Sequence, residues 1–222
     1  MNCRQGELSR VGEIEIELEL PEPKRNSELT LEVSFAGYDN SYKLWVYTME
    51  SQKPEKPDFV YECRTMDDKA EEILEDGGIV FLAPDSTSEA LPDSIKSPFT
   101  TDFWSVGTFS SQEGSMGLLI DNEHPLFKDY PTNFYSGYQW FVQSSQRAMI
   151  LPEGVHSIVT VMDSYAYLRN MGMLLEYRHK KGRVFVSSMG LHNLMNYPEC
   201  RALLTSIYRY LASDDFDPQQ EI

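Results

Sequence analysis

The sequence predicts an α/β fold with a short antiparallel β segment ahead of the main sheet, and three features of the chain point there. Residues 59–83 read strand, helix, strand, and the second strand, Ile79-Val80-Phe81-Leu82-Ala83, is apolar throughout. Such a run belongs in a parallel sheet covered on both faces. Residues 198–211 place Leu203, Leu204, Ile207, Tyr208 and Leu211 at helical spacing, so the chain closes on an amphipathic helix. Before residue 50 the apolar period is two instead.

Glu13–Leu20 alternates acidic and aliphatic residues, the pattern of a strand with one wet and one buried face. After Pro21-Glu22-Pro23 the alternation resumes at Leu29, Leu31, Val33 and Phe35, Gly37-Tyr38-Asp39-Asn40 makes a turn, and Leu44-Trp45-Val46-Tyr47 gives a third strand. Fifty residues fall short of the roughly 100 that a complete sandwich takes. Residues 1–50 are therefore expected to form an incomplete β-sandwich-like segment or an extra layer. Residues 51–57, with Pro54 and Pro57 among alternating charges, read as a linker, and 58–222 as the α/β domain.

Within that domain Phe59–Cys63 is a short strand, and Met66–Glu75 is a helix with Thr65 as its N-cap and Ala70, Ile73 and Leu74 on one face. Asp76-Gly77-Gly78 ends it. Further strands are expected at Gly117–Ile120, Ser157–Met162, Gly172–Tyr177 and Arg183–Ser187. The last two flank His179-Lys180-Lys181-Gly182, a hairpin turn that adds an antiparallel pair to the sheet.

Lys and Arg total 19 against 35 Asp and Glu, a formal net charge of -16. That field repels polyanions, so nucleic acid is not an expected partner. The acids concentrate near the ends, in Glu13–Glu22 and at Asp214, Asp215 and Asp217, and read as a solvated strand face and a frayed terminus. No apolar run approaches the roughly 20 residues that span a bilayer, and the first ten residues lack the apolar core of a signal peptide. The chain reads as soluble, and as periplasmic or extracellular only if it is part of an exported protein.

Residues 98–140 concentrate loop residues and aromatics, the composition of a functional surface without a recognisable nucleophile or metal motif. No G-x-S-x-G or G-x-C-x-G elbow occurs, and Cys63 is flanked by the bulky Glu62 and Arg64, which suits a buried structural thiol. Cys3, Cys63 and Cys200 lack the paired spacings of zinc or redox sites, and the four histidines have no i, i+3 or i+4 partner for a metal face. Gly77-Gly78 precedes a strand, the wrong order for a phosphate loop, so no cofactor is implied. His124, with Asp121 and Glu123 close by, follows an apolar strand near where open α/β sheets take ligands; it either orders the loop or contacts a ligand. Asp102, Asp121 and Asp163 are acid candidates by location alone. Trp104, Tyr135, Tyr138 and Trp140 have the faces to stack on a sugar or to anchor an interface.

The order of these segments resembles a known family. Ile14–Leu20, Leu29–Phe35 and Leu44–Tyr47, followed by Gly77–Pro84, Phe99–Ser105, Met116–Asp121, His124-Pro125-Leu126, Tyr138-Gln139-Trp140 and Gly182–Ser188, resemble the C-terminal region of bacterial family 2 glycoside hydrolases of the β-galactosidase-like kind. The resemblance spans nearly the full chain. It implies a flavodoxin-like, mostly parallel α/β domain of the class I glutamine-amidotransferase type, similar also to ThuA-like proteins. It implies no catalytic residue here, because the hydrolases keep their glutamates in a TIM barrel of about 250 residues, which this chain cannot hold.

The expected function is therefore a non-catalytic accessory or oligomerisation domain of a carbohydrate-degrading enzyme. Its partners would be the rest of that polypeptide or further copies, with glycan as an additional contact. Trp104, Asp121, His124, Tyr138, Trp140 and Asp163 are the candidate ligand or interface residues. One alternative is a small ThuA-like sugar-processing enzyme with a site around Asp121, His124 and Asp163; another is a protein-interaction domain without sugar contact.

Overall fold

A computed structural model describes residues 6, 10, 12–17, 25–99, 105–109 and 112–222. Its first regular element is a hairpin of β1 (Ser27–Phe35) and β2 (Tyr38–Val46). Ala36 and Gly37 join the strands with φ of 51° and 82°, the double left-handed conformation that matches the twist of a two-residue hairpin. The turn therefore falls before Tyr38, and the expected turn residues Tyr38, Asp39 and Asn40 are already in β2. The expected strand over 13–20 does not form in its described part: residues 12–17 have no regular structure, with Ile14 78% exposed, and 18–20 lie outside the described residues. Alternation sets which face a residue would take, but a strand also needs a neighbour for its backbone groups.

Hairpin register places Leu29, Leu31, Val33 and Phe35 opposite Leu44, Tyr42, Asn40 and Tyr38. One face is thus nearly all apolar. Toward the tip it stands in solvent, with Phe35 60% and Tyr38 82% exposed. At its root the hairpin meets the rest of the chain through Asn26, whose side chain donates to the Asp129 carbonyl at 2.6 Å, and through Tyr47, whose hydroxyl accepts from Gln139 at 2.9 Å.

The 51–57 segment begins in a short 3-10 turn, Glu50–Gln52, that lies against the closing helix α4 (Pro198–Leu211). Thr205 donates to the buried Ser51 carbonyl at 2.8 Å and Arg201 to Gln52 at 2.8 Å. Beyond it come β3 (Val60–Cys63), α1 (Asp68–Glu75) and β4 (Ile79–Leu82). Asp67, and not Thr65, caps α1, accepting the Ala70 N–H at 2.8 Å. Gly77, at φ 83°, takes the left-handed turn that ends the helix.

The remaining strands are β5 (Ser94–Lys96), β6 (Ser115–Ile120), β7 (Arg147–Ile150), β8 (Val159–Asp163), β9 (Met171–His179) and β10 (Gly182–Ser187). Two single turns, α2 (Ser105–Thr108) and α3 (Phe141–Ser144), lie between them. The main path across the sheet runs β3-β4-β10-β9-β7-β5, with β8 joining β9 and β6 joining β8. The fold is mixed α/β, and the expectation of a mostly parallel sheet does not hold. Among the described strands only β3–β4 and β4–β10 are parallel pairs; β10–β9, β9–β7, β7–β5, β9–β8 and β8–β6 are antiparallel. Parallel neighbours need long crossovers, and among the described elements α1 covers one of them. The two-residue link Lys180-Lys181 forces β9 and β10 antiparallel, as the sequence predicts.

Two layers cover the sheet. Ala70 and Leu74 of α1 pack with Val80, Val184 and Leu175, while Leu203, Leu204 and Ile207 of α4 pack in the core that holds Phe81 and Phe185. Gly182 is a point of close approach between α1 and the sheet, since a Cβ there would lie 2.6 Å from Leu74 Cδ2 and 2.7 Å from the Gly78 carbonyl. Among the described residues no helix is long and apolar enough to cross a membrane.

Candidate functional site

Strand register lines up one row of side chains beneath α4. Glu62 on β3 pairs with Phe81 on β4, Phe81 with Phe185 on β10, and Phe185 with Glu176 on β9. Two phenylalanines in edge-to-face contact, centroids 5.8 Å apart, thus separate two largely buried glutamates. A carboxylate facing a core is costly unless hydrogen-bonded. The helix supplies the donors: Tyr208 gives its hydroxyl proton to Glu62 at 2.6 Å and Tyr210 to Glu176 at 2.9 Å.

Each glutamate also meets a histidine. His192 Nε2 lies 2.8 Å from Glu62 Oε1, and His124 Nε2 lies 3.7 Å from Glu176 Oε1. Burial works to raise the Glu62 carboxyl, but the bonds from His192 and Tyr208 outweigh it and hold the group below the usual glutamate range. Burial, with the adjoining carboxylates, pushes both tyrosine hydroxyls well above their ordinary value, so they stay protonated donors.

The Glu176 end opens to solvent. Asp121, His124, His156, Ser157, Ile158, Glu176, Gln219 and Gln220 line a cleft of about 350 Å³. Its parts are fixed locally. Pro125 begins a 3-10 turn, Pro125–Phe127, and the His124 ring caps it, Nδ1 accepting the Leu126 N–H at 3.3 Å. The ring also stands edge-on to Tyr210, centroids 5.1 Å apart. Asp121 is tied to the segment just before β8 by its N–H on the Ile158 carbonyl at 3.0 Å.

The C-terminal segment forms the other wall; the frayed terminus expected from its acidic sequence is instead packed and hydrogen-bonded. Phe216 is fully buried, packed against Phe185 and Tyr210 and beneath the Arg183 guanidinium. Arg178 binds Asp217 and the Pro218 carbonyl through its side chain, while its backbone bonds Gln220 and Ile222. The tail thereby takes the stretch of β9 edge that β8 leaves unpaired. The Gln220 side chain clasps both sides of the cleft, bonding the His156 N–H at 2.9 Å and the carbonyls of His156 and Glu176 at 2.7 Å each.

Of the sequence-predicted residues, this cleft brings together Asp121 and His124. Asp163 does not line it. Its carboxylate is consumed by the backbone N–H groups of Ser164 and Arg169 and by a two-pronged Arg169 ion pair at 2.7 and 3.0 Å, which organises the 163–169 loop. Trp140 is a core residue, 1% exposed among Phe127 and Tyr130 with its N–H on Thr132 at 2.8 Å, so it offers no surface for a ligand or partner. Tyr138 is 70% exposed and stacks on Phe141, 5.5 Å between centroids. Trp104 and Asp102 lie outside the described residues.

Burial pushes the Cys63 thiol up to about 11 and the Cys200 thiol up to about 12, which suits structural roles. Sequence pattern does not single out Glu62, Glu176 or Tyr210, and it marks Tyr208 only as part of the apolar helix face. The available signal was a carboxylate inside each of the apolar runs Val60–Cys63 and Met171–Tyr177, a placement that requires a partner.

A family model described as Domain of unknown function (DUF8487) matches residues 61–222, and one described as Domain of unknown function (DUF8488) matches residues 1–48. No curated protein matches the chain. Among solved structures the chain is similar to Cytoplasmic Protein STM3548 from Salmonella typhimurium, with 9% identity and a TM-score of 0.36, over 84% of this chain and 96% of that one.

Proposed function

We propose that this chain, which belongs to the DUF8487 family, is a non-catalytic assembly module that docks through its N-terminal hairpin. The observation that carries this reading is the apolar face of β1 and β2. Phe35, Tyr38, Tyr42, Val33 and Leu44 stand exposed on one side of a two-stranded sheet. A lone hairpin is marginal in water, and a contiguous apolar patch of this kind is the mark of an interaction surface.

The proposed host is a carbohydrate-degrading enzyme of the β-galactosidase-like kind, and the docked surface belongs to the rest of that polypeptide or to another copy. That part rests on the order of the sequence segments. The flavodoxin-like relation belongs to the same proposal and would involve the parallel set β3, β4 and β10 with α1. If the host is exported, the module is periplasmic or extracellular.

Light scattering on the full chain, alone and with its flanking polypeptide, tests the reading. Phe35→Asp combined with Tyr38→Ser is expected to abolish assembly while leaving the circular dichroism of the 58–222 domain unchanged. A wild-type chain that stays monomeric and does not bind its flanking polypeptide would overturn it.

A further inference from the structure

We propose that the cleft beside His124 and Glu176 binds a neutral polyhydroxylated small molecule, through one ligand hydroxyl that bridges the imidazole and the carboxylate. The inference rests on the cleft alone and is independent of the assembly role.

Because Nδ1 of His124 accepts the Leu126 N–H, the ring proton sits on Nε2. Nε2 faces Glu176 Oε1 at 3.7 Å, beyond hydrogen-bond reach, while the other carboxylate oxygen is taken by Tyr210. A donor and an acceptor therefore stand side by side, each oriented by a different bond and too far apart to satisfy one another. The group that completes the pair must accept from the imidazole and donate to the carboxylate.

A hydroxyl does both. An ammonium only donates, and would meet the Nε2 proton head on. A carboxylate or phosphate only accepts, and is repelled by Glu176 and by Asp121 across the same cleft. No Lys or Arg is among the lining residues to offset that repulsion. Asp121 and Gln219 supply further polar atoms for neighbouring hydroxyls, and the largely buried Ile158 is the aliphatic residue of the lining. The volume of about 350 Å³ is that of a small-molecule site. The pair is also set in advance: His124 on a proline-started turn, Glu176 on a central strand, and Gln220 clasping the walls.

Titration calorimetry of the full chain with D-galactose and myo-inositol, against D-glucosamine and D-glucuronate as the charged arms, tests the proposal. Two variants accompany the wild type. His124→Asn retains an acceptor for the Leu126 N–H but loses the Nε2 donor; Glu176→Gln retains an oxygen for Tyr210 but loses the charge.

Saturable binding of a neutral polyol is expected, weakened about tenfold or more in each variant, with the charged analogues binding less well. The His124 ring resonances of the wild type should shift along the same titration, a readout that does not depend on the variants folding. No saturable binding of either neutral polyol, preference for the amine or the acid, or still His124 resonances at saturation would each overturn it.

Discussion

Tyr208 donates its hydroxyl proton to Glu62 across 146 residues of sequence, at 2.6 Å, and fixes α4 to the edge strand of the sheet. Two residues on, Tyr210 does the same to Glu176 on the far side of the Phe81–Phe185 pair. The helix is thus held at two points by neutral donors on buried carboxylates.

Tyr208→Phe removes one of these points and leaves Glu62 with His192 alone. A hydrogen bond to a charged group contributes roughly 1.5–3 kcal/mol, so a loss of about 2 kcal/mol is expected in urea unfolding, with the m-value unchanged. A change within error of zero would mean that the Tyr208–Glu62 bond does not help to hold the helix.

Glu62 sets a pH dependence whose sign follows from its lowered folded-state pKa. Its contribution is complete above the ordinary glutamate value of 4.5 and is lost as pH falls through the lower folded value. Asp163 is displaced in the same direction, burial being outweighed by Arg169 and the backbone N–H groups, and acts below 3.8. Stability should therefore decline as pH drops below about 4.5, and Glu62→Gln should flatten the upper part of that decline. An unaltered pH profile in the variant would refute the assignment.

Phe216 is the anchor of the tail. Replacing it with Ala is expected to cost about 3–5 kcal/mol and to raise hydrogen exchange at Arg178 and Ile222, whose backbone N–H groups bond the Gln220 and Arg178 carbonyls. Wild-type exchange at those amides would show that Arg178 holds the tail without it.

Cys63 and Cys200 are buried, with thiols raised to about 11 and about 12 by that burial. Iodoacetamide near pH 8, followed by peptide mass mapping, should leave both unmodified in the folded chain and label both in denaturant. Rapid labelling of Cys63 in the native protein would reopen the question of a nucleophile at the end of β3.

Where periodicity was long and its partner adjacent, the sequence was readable. The closing helix occupies Pro198–Leu211 as its apolar spacing predicted, and the β9–β10 hairpin forms over the turn at 180–181. The short strands β5 and β7 are not legible in the sequence, since three or four residues carry too little pattern to separate from loop. Trp140 shows the opposite failure: an aromatic in a loop-rich segment reads as surface, yet the loop folds its ring into the core beside Tyr130.

Asp121 and His124 were found because they follow an apolar strand in a short acidic turn. Glu176, which gives the cleft its acceptor, was not, since nothing near it in sequence indicates Tyr210 or His124 as its neighbours. Asp163 resembled a site acid and became a loop organiser through Arg169, six residues away.

By itself the sequence determined that β4 is buried on both faces and which side of α4 faces inward, because an unbroken apolar run needs two covering layers and a repeat of 3.6 assigns a side to every helical position. Only the tertiary structure decided which of those inward residues meet. Register between β3, β4, β10 and β9 puts Glu62 and Glu176 in one row, and the path of the tail closes the cleft beside it. Periodicity specifies a face, whereas a hydrogen bond specifies a neighbour, and that choice is made by chain segments that find each other in space.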